Sequence, residues 1–174
     1  MTWTTYHKRG EILRTVMAVA DERRDGLLPM DVDGVDVKFD DELDLLGALQ
    51  LKWHTRLAGR IEQELAEQPM DLDAAVIRAW HAAALAMPGV RAILDHYRAE
   101  PLDARMGAAM AKAHAKEQLL LAVMAGRGAY ADQLAVRVGA DIEARARASY
   151  RPATPIAGAR PASLLDRIKA VLAA

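Results

Sequence analysis

Asp40-Asp-Glu-Leu-Asp-Leu-Leu-Gly-Ala-Leu-Gln-Leu-Lys-Trp-His-Thr-Arg-Leu-Ala-Gly-Arg-Ile-Glu-Gln-Glu-Leu65 is the stretch whose reading settles the fold class of this chain. Leu43, Leu46, Leu49, Trp53, Leu57, Ile61 and Leu65 recur at steps of three and four residues, which places them on one face of an α-helix. A half-buried strand would alternate apolar and polar residues instead, and this segment does not. Asp40 is the expected N-cap, its carboxylate taking free amide protons of the first turn, while Asp41 and Glu42 suit the positive end of the helix dipole. Pro69 closes the run.

The same period appears on both sides. Upstream, Ile12, Leu13, Val16, Met17 and Ala20 predict a first helix over residues 8–24. Between them, residues 26–40 contain Pro29 and Gly34 and alternate valine with aspartate, which predicts a loop, with Val35 to Phe39 as the one candidate strand. Downstream, Asp71 is expected to cap a helix bearing Val76, Trp80 and Ala83 that stops at Met87-Pro88-Gly89. The next helix carries Val90, Ile93, Leu94 and Tyr97. Pro101 suits the first turn of a further helix running to about Ala125, because its missing amide proton costs nothing there. Gly126 and Gly128 end it, and another helix is expected from Ala129 to Ser149. The Pro- and Ala-rich residues 149–161 read as a linker. Beyond it, Ser163 is placed to cap an amphipathic helix through Leu164, Leu165, Ile168, Val171 and Leu172. The expectation is an all-α fold, an orthogonal or antiparallel bundle of about seven helices: a bundle domain over 1–148, the linker, and a C-terminal helix over 162–174.

A chain of 174 residues can bury a substantial core without staples. It has no cysteine, which excludes disulfides, thiolate metal sites and a cysteine nucleophile. Residues 1–10 lack the apolar core of a signal peptide and no apolar run approaches a membrane span, so a cytoplasmic, bacterial protein without membrane insertion is expected. The net charge of −1 gives no general attraction to nucleic acid. Charge is unevenly placed, however: Asp21 to Asp44 holds ten acidic against three basic residues, and the chain after Gly126 is basic, so the two regions can attract each other, within a subunit or between subunits.

Few residues suggest chemistry. Asp31, Asp33 and Glu42 fall at the first, third and twelfth positions of a calcium loop, but Val35 and Asp36 occupy the fifth and sixth, where a ligand and a glycine are needed. His7, His54, His81, His96 and His114 form no known metal spacing, so no metal or other cofactor is expected. Nucleotide-binding glycine motifs and a serine-nucleophile elbow are absent, and serine occurs only at Ser149 and Ser163. Two Trp-His pairs, Trp53-His54 and Trp80-His81, stand on successive helices, with His96-Tyr97 on the next. If they converge, Trp53, His54, Trp80, His81 and Tyr97 would line an apolar pocket with polar tips. Core packing would use the same rings equally well.

Three passages resemble the regulatory domain of TetR-type repressors. Lys38-Phe-Asp-Asp-Glu-Leu-Asp-Leu-Leu46 is similar to the aromatic-acidic-leucine passage by which those proteins enter their long fourth helix. Met87-Pro-Gly-Val-Arg-Ala-Ile-Leu94 is similar to a Pro-Gly break between later helices, and Arg9-Gly-Glu-Ile-Leu-Arg-Thr-Val16 to the family's first helix. The resemblance covers about half the chain. It implies a bundle that binds a small ligand and pairs as a homodimer. It stops where DNA would be read: a helix-turn-helix needs two further helices with a basic face between Ala20 and Phe39, and phosphate repels the acidic segment found there.

The expected function is therefore a non-catalytic helical module that binds a small apolar or amphipathic molecule or a protein partner, with no nucleic acid. The alternatives are a transcriptional regulator with a divergent N-terminal DNA-binding region, drawing on Lys8, Arg9 and Arg14, and a scaffold that docks through its C-terminal helix.

Overall fold

The computed structural model describes residues 3–129 and 133–151. Within them the chain forms α1 (Trp3–Arg23), α2 (Val35–Lys38), α3 (Glu42–Ala66), α4 (Leu72–Ala86), α5 (Pro88–Ala99), α6 (Ala104–Met124) and α7 (Gln133–Ser149), with no strand among the described residues. Most of the linker and the whole C-terminal helix expected from the sequence lie outside the described residues.

The periodic stripe of α3 lies at the centre of the core. Leu46, Leu49, Trp53, Leu57 and Ile61 are fully buried, and so is Leu45, which broadens the stripe; Leu43 and Leu65 at its two ends are half-buried. Around it α4 packs along α3, α5 against α1, and α7 against both α6 and α4. Two glycines set the closest approaches. A Cβ on Gly89 would stand 2.1 Å from the Ala20 backbone where α5 meets α1, and one on Gly139 would stand 1.8 Å from the Gln118 carbonyl oxygen where α7 meets α6. Neither contact leaves room for any side chain.

The structure corrects three local expectations. Val35 to Phe39 is no strand: Val35 to Lys38 is a single helical turn, with Phe39 N–H bonded to the Val35 carbonyl at 2.9 Å. A four-residue step puts Val35 and Phe39 on the same side of a turn, so both are buried without any strand to pair with. The N-cap of α3 is Asp41, not Asp40. Its extended backbone (φ −161°, ψ 178°) aims its carboxylate at the Asp44 amide, 2.8 Å away, while Asp44 accepts in return from the Asp40 amide at 3.2 Å. Pro101 lies before α6 rather than in its first turn, because the Asp103 side chain caps that helix by accepting from the Met106 amide at 2.7 Å.

Among the described residues, no ion pair within the chain joins the acidic region to the basic one. Asp31 pairs with Arg23, Asp44 with Arg9 and Asp41 with Arg105. Arg127 and Arg145 reach Asp73 instead, and Arg147 reaches Asp95 and Glu143.

Candidate ligand-binding groove

The aromatic residues singled out in the sequence lie in three places. Trp53 from α3 and Trp80 from α4 meet edge to face, ring centroids 6.0 Å apart, and both are buried. Tyr150 adds a second edge contact to Trp80 at 5.7 Å. His81 borders this cluster and donates from Nε2 to the Ala146 carbonyl at 2.8 Å, which ties α4 to α7. Tyr97 belongs elsewhere: its ring packs on His96 at 4.9 Å, and its hydroxyl accepts from the Leu28 amide at 3.4 Å. His54 lines a third cavity, of about 440 Å³, between α3 and α6, beside Lys112 and Lys116.

A network of charges lies against the indoles. The Arg91 guanidinium stands 4.7 Å from the Trp53 ring centroid and that of Arg147 stands 5.2 Å from Trp80. Arg91, Glu117 and Glu143 are buried, a placement that charged residues tolerate only when paired. Arg91 reaches Asp95 at 2.8 Å and Glu117 at 3.3 Å. Glu143 accepts from His114 at 2.6 Å and from Arg147 at 2.8 Å. Burial alone would raise the carboxyl of Glu143, but the His114 hydrogen bond and the Arg147 charge outweigh it and hold the group well below the usual carboxylate range. Asp95 behaves likewise: desolvation is overcome by the Arg147 hydrogen bond and the charges of Arg91, Arg147 and Arg98. Carboxylates held this firmly ionised are poor proton donors near neutral pH, so the network suits a clamp between α5, α6 and α7 rather than acid-base chemistry. Among the described residues, no group of three His, Asp or Glu side chains is placed to hold a metal ion.

Space for a ligand occurs on the other side of α3. Two cavities of about 580 and 510 Å³, both open to solvent, follow each other along the face of α3 beside α1 and have Lys52 as a common wall. Each volume is within the range of small-molecule sites. Near the start of α3 the apolar part of the wall comes from Leu13, Leu43, Ala48 and Leu51, with Arg9, Arg14 and Asp44 beside them. Further along, Met17 and Met87 form the apolar side, facing Lys52, Arg56 and Arg60.

The groove is rich in cations. Among the described residues, Arg14, Lys52 and Arg56 line it without an acidic partner, and Arg60 bonds the neutral Gln63 at 3.0 Å. The one acid on the wall, Asp44, is already bound to Arg9 at 2.8 Å. Lys52, Arg56 and Arg60 stand four residues apart on one helix face, a spacing at which like charges repel. Gly47 and Gly59 lie in the interior of α3 on this wall, and a Cβ built on either meets nothing within 4 Å. Glycine in a helix interior is destabilising, and nothing in the packing of the described residues requires it at these two positions.

No family model, curated protein or solved structure matches the chain.

The cationic ladder and the two exposed glycines were absent from the expectations drawn from the sequence. Their signal was present: Lys52, Arg56 and Arg60 at four-residue steps, with no acid three or four residues away except Glu64, which the fold commits to Arg78 at 2.8 Å.

Proposed function

We propose that this protein is a non-catalytic helical module that binds a small amphipathic anion in the groove between α1 and α3. The observation that carries this reading is the pairing of apolar walls with four cations that have no acidic partner among the described residues. An apolar chain laid on Leu13, Leu43, Ala48 and Leu51 gains the burial term, about 25 cal/mol for each Å² of apolar surface removed from water. An anionic group beside Lys52, Arg56 and Arg60 relieves their mutual repulsion. The resemblance of residues 37–125 to TetR-type regulatory domains supports the same class of function, because it implies ligand binding. The segment between α1 and α3 argues against DNA as the partner: it holds only the four residues of α2 and an acidic turn in which Asp31 occupies Arg23.

Titration calorimetry with three probes below their micelle concentrations tests the proposal: dodecanoate, dodecanol and dodecyltrimethylammonium. Dodecanoate is expected to bind, more weakly as salt is added, and well above the other two. Equal binding of all three, or of none, contradicts it.

A further inference from the structure

The groove is not uniform along its length, and its polarity gives a bound molecule a direction. This inference rests on the function proposed above and specifies the ligand. We infer that the ligand is a single-chain phosphate monoester whose head group lies at Lys52, Arg56 and Arg60 and whose tail runs toward Ala48 and Leu43.

The two ends are lined differently. Arg56 and Arg60 border only the cavity toward the C-terminal end of α3, beside Met17 and Met87; Leu13, Leu43, Ala48 and Leu51 border only the one toward its N-terminal end, together with Arg14 and the Arg9–Asp44 pair, and Lys52 borders both. The donors at the C-terminal end suit phosphate. Two guanidiniums present planar forks of N–H groups that match a tetrahedral oxyanion, and Lys52 adds a point charge. Gln63 gives its side-chain oxygen to Arg60 at 3.0 Å, leaving its amide hydrogens free to donate. The Thr55 hydroxyl is already donated to the Leu51 carbonyl at 2.8 Å, so it can serve only as an acceptor and does not compete for the anion. Three cations with no carboxylate among them favour a head group of nearly two negative charges over one. Gly59 lies among these cations, and its missing side chain leaves the helix surface open to a bulky head group. From Arg56 to Ala48 is about 12 Å along the helix axis, at about 1.5 Å per residue, so the tail has to be long to reach the apolar end.

Calorimetry on the full chain would compare dodecyl phosphate, octyl phosphate and dodecanoate, each below its micelle concentration. Dodecyl phosphate is expected to bind about ten-fold tighter than dodecanoate near neutral pH, and Arg56→Gln or Arg60→Gln should abolish most of that preference. Ala48→Phe, which fills the apolar end, should reduce dodecyl phosphate to the affinity of octyl phosphate and leave octyl phosphate unchanged. Arg56 is exposed, and Arg60 and Ala48 are half-exposed, so these variants are expected to keep the circular dichroism of the parent. Equal affinity for dodecyl phosphate and dodecanoate overturns the head-group assignment while leaving the anionic-amphiphile function standing. An Ala48→Phe variant that weakens both phosphates equally overturns the direction. If no dodecyl anion binds at all, both the inference and the function on which it rests fail.

Discussion

The Asp21 carboxylate, at the end of α1, accepts the Gly89 amide proton of α5 at 2.7 Å and so supplies from another helix the cap that Met87, at the N-cap of α5, cannot. Gly89 is also where the two helices touch backbone to backbone. Asp21→Ala is therefore expected to cost about 1 kcal/mol, the usual worth of an N-cap, with Asp21→Asn retaining most of it. Gly89→Ala should cost more, about 1–3 kcal/mol, because α5 must move away from α1. Urea denaturation measures both. An Asp21→Ala variant as stable as the parent would show that this bond adds nothing.

Glu117 is almost fully buried and faces Arg91 at 3.3 Å, and the same guanidinium lies 4.7 Å from the Trp53 ring centroid. Replacing one member of a buried pair leaves the other charge under-compensated. Glu117→Leu should therefore cost about 3 kcal/mol, toward the lower end of the range because Asp95 still holds Arg91. The double variant Arg91→Met with Glu117→Leu should recover much of that loss. Equal destabilisation by the single and double variants would contradict the pairing.

Acid is expected to unfold this protein through Asp95 and Glu143. Both have carboxyls depressed in the folded state, so their stabilisation is complete above the ordinary carboxylate range of about pH 4 and is lost as pH falls through the depressed folded values. Asp21 acts oppositely: burial raises its carboxyl, so protonating it relieves a cost. The net expectation is constant stability from neutrality down to about pH 4, then a steep decline. Stability at a series of pH values checks this, and Glu143→Gln should make the decline shallower. An unchanged slope in that variant would assign acid unfolding to other groups.

Gly47→Ala and Gly59→Ala are each expected to stabilise the protein by about 0.5–1 kcal/mol, because alanine favours helix and an added Cβ meets nothing within 4 Å. Thermal melts provide the comparison. Gly59→Phe should likewise remain folded while blocking the groove, separating a requirement of binding from one of folding. Lower stability in either alanine variant would mean that another part of the protein packs on this face.

How much of this was legible in the sequence depends on the interaction concerned. Helices were readable because Leu46, Leu49, Trp53, Leu57 and Ile61 repeat with the helix period and all reach the core. The Asp71 cap was readable for the same local reason, since its side chain accepts from the Ala74 amide three residues on, at 3.0 Å. Val35 to Phe39 was misread because an apolar pair four residues apart fits one helical turn as well as a strand face. Tertiary pairs were not legible: nothing near Asp21 in the sequence announces Gly89, and nothing near Glu143 announces His114. The groove is a property of two helices side by side. Its α3 wall was written in the residues 52, 56 and 60, whereas the Trp53 and Trp80 rings that drew attention as pocket walls pack against each other in the core.

The central claim is that the seam between α1 and α3 receives an amphipathic anion. Its most direct test is a backbone amide chemical-shift titration of the labelled protein with dodecanoate. The largest shifts are expected at Leu13, Arg14, Lys52, Arg56 and Gly59, following a single saturating curve. Saturating shifts centred instead on Trp53, Trp80 and His81, or no shifts at all, would contradict it.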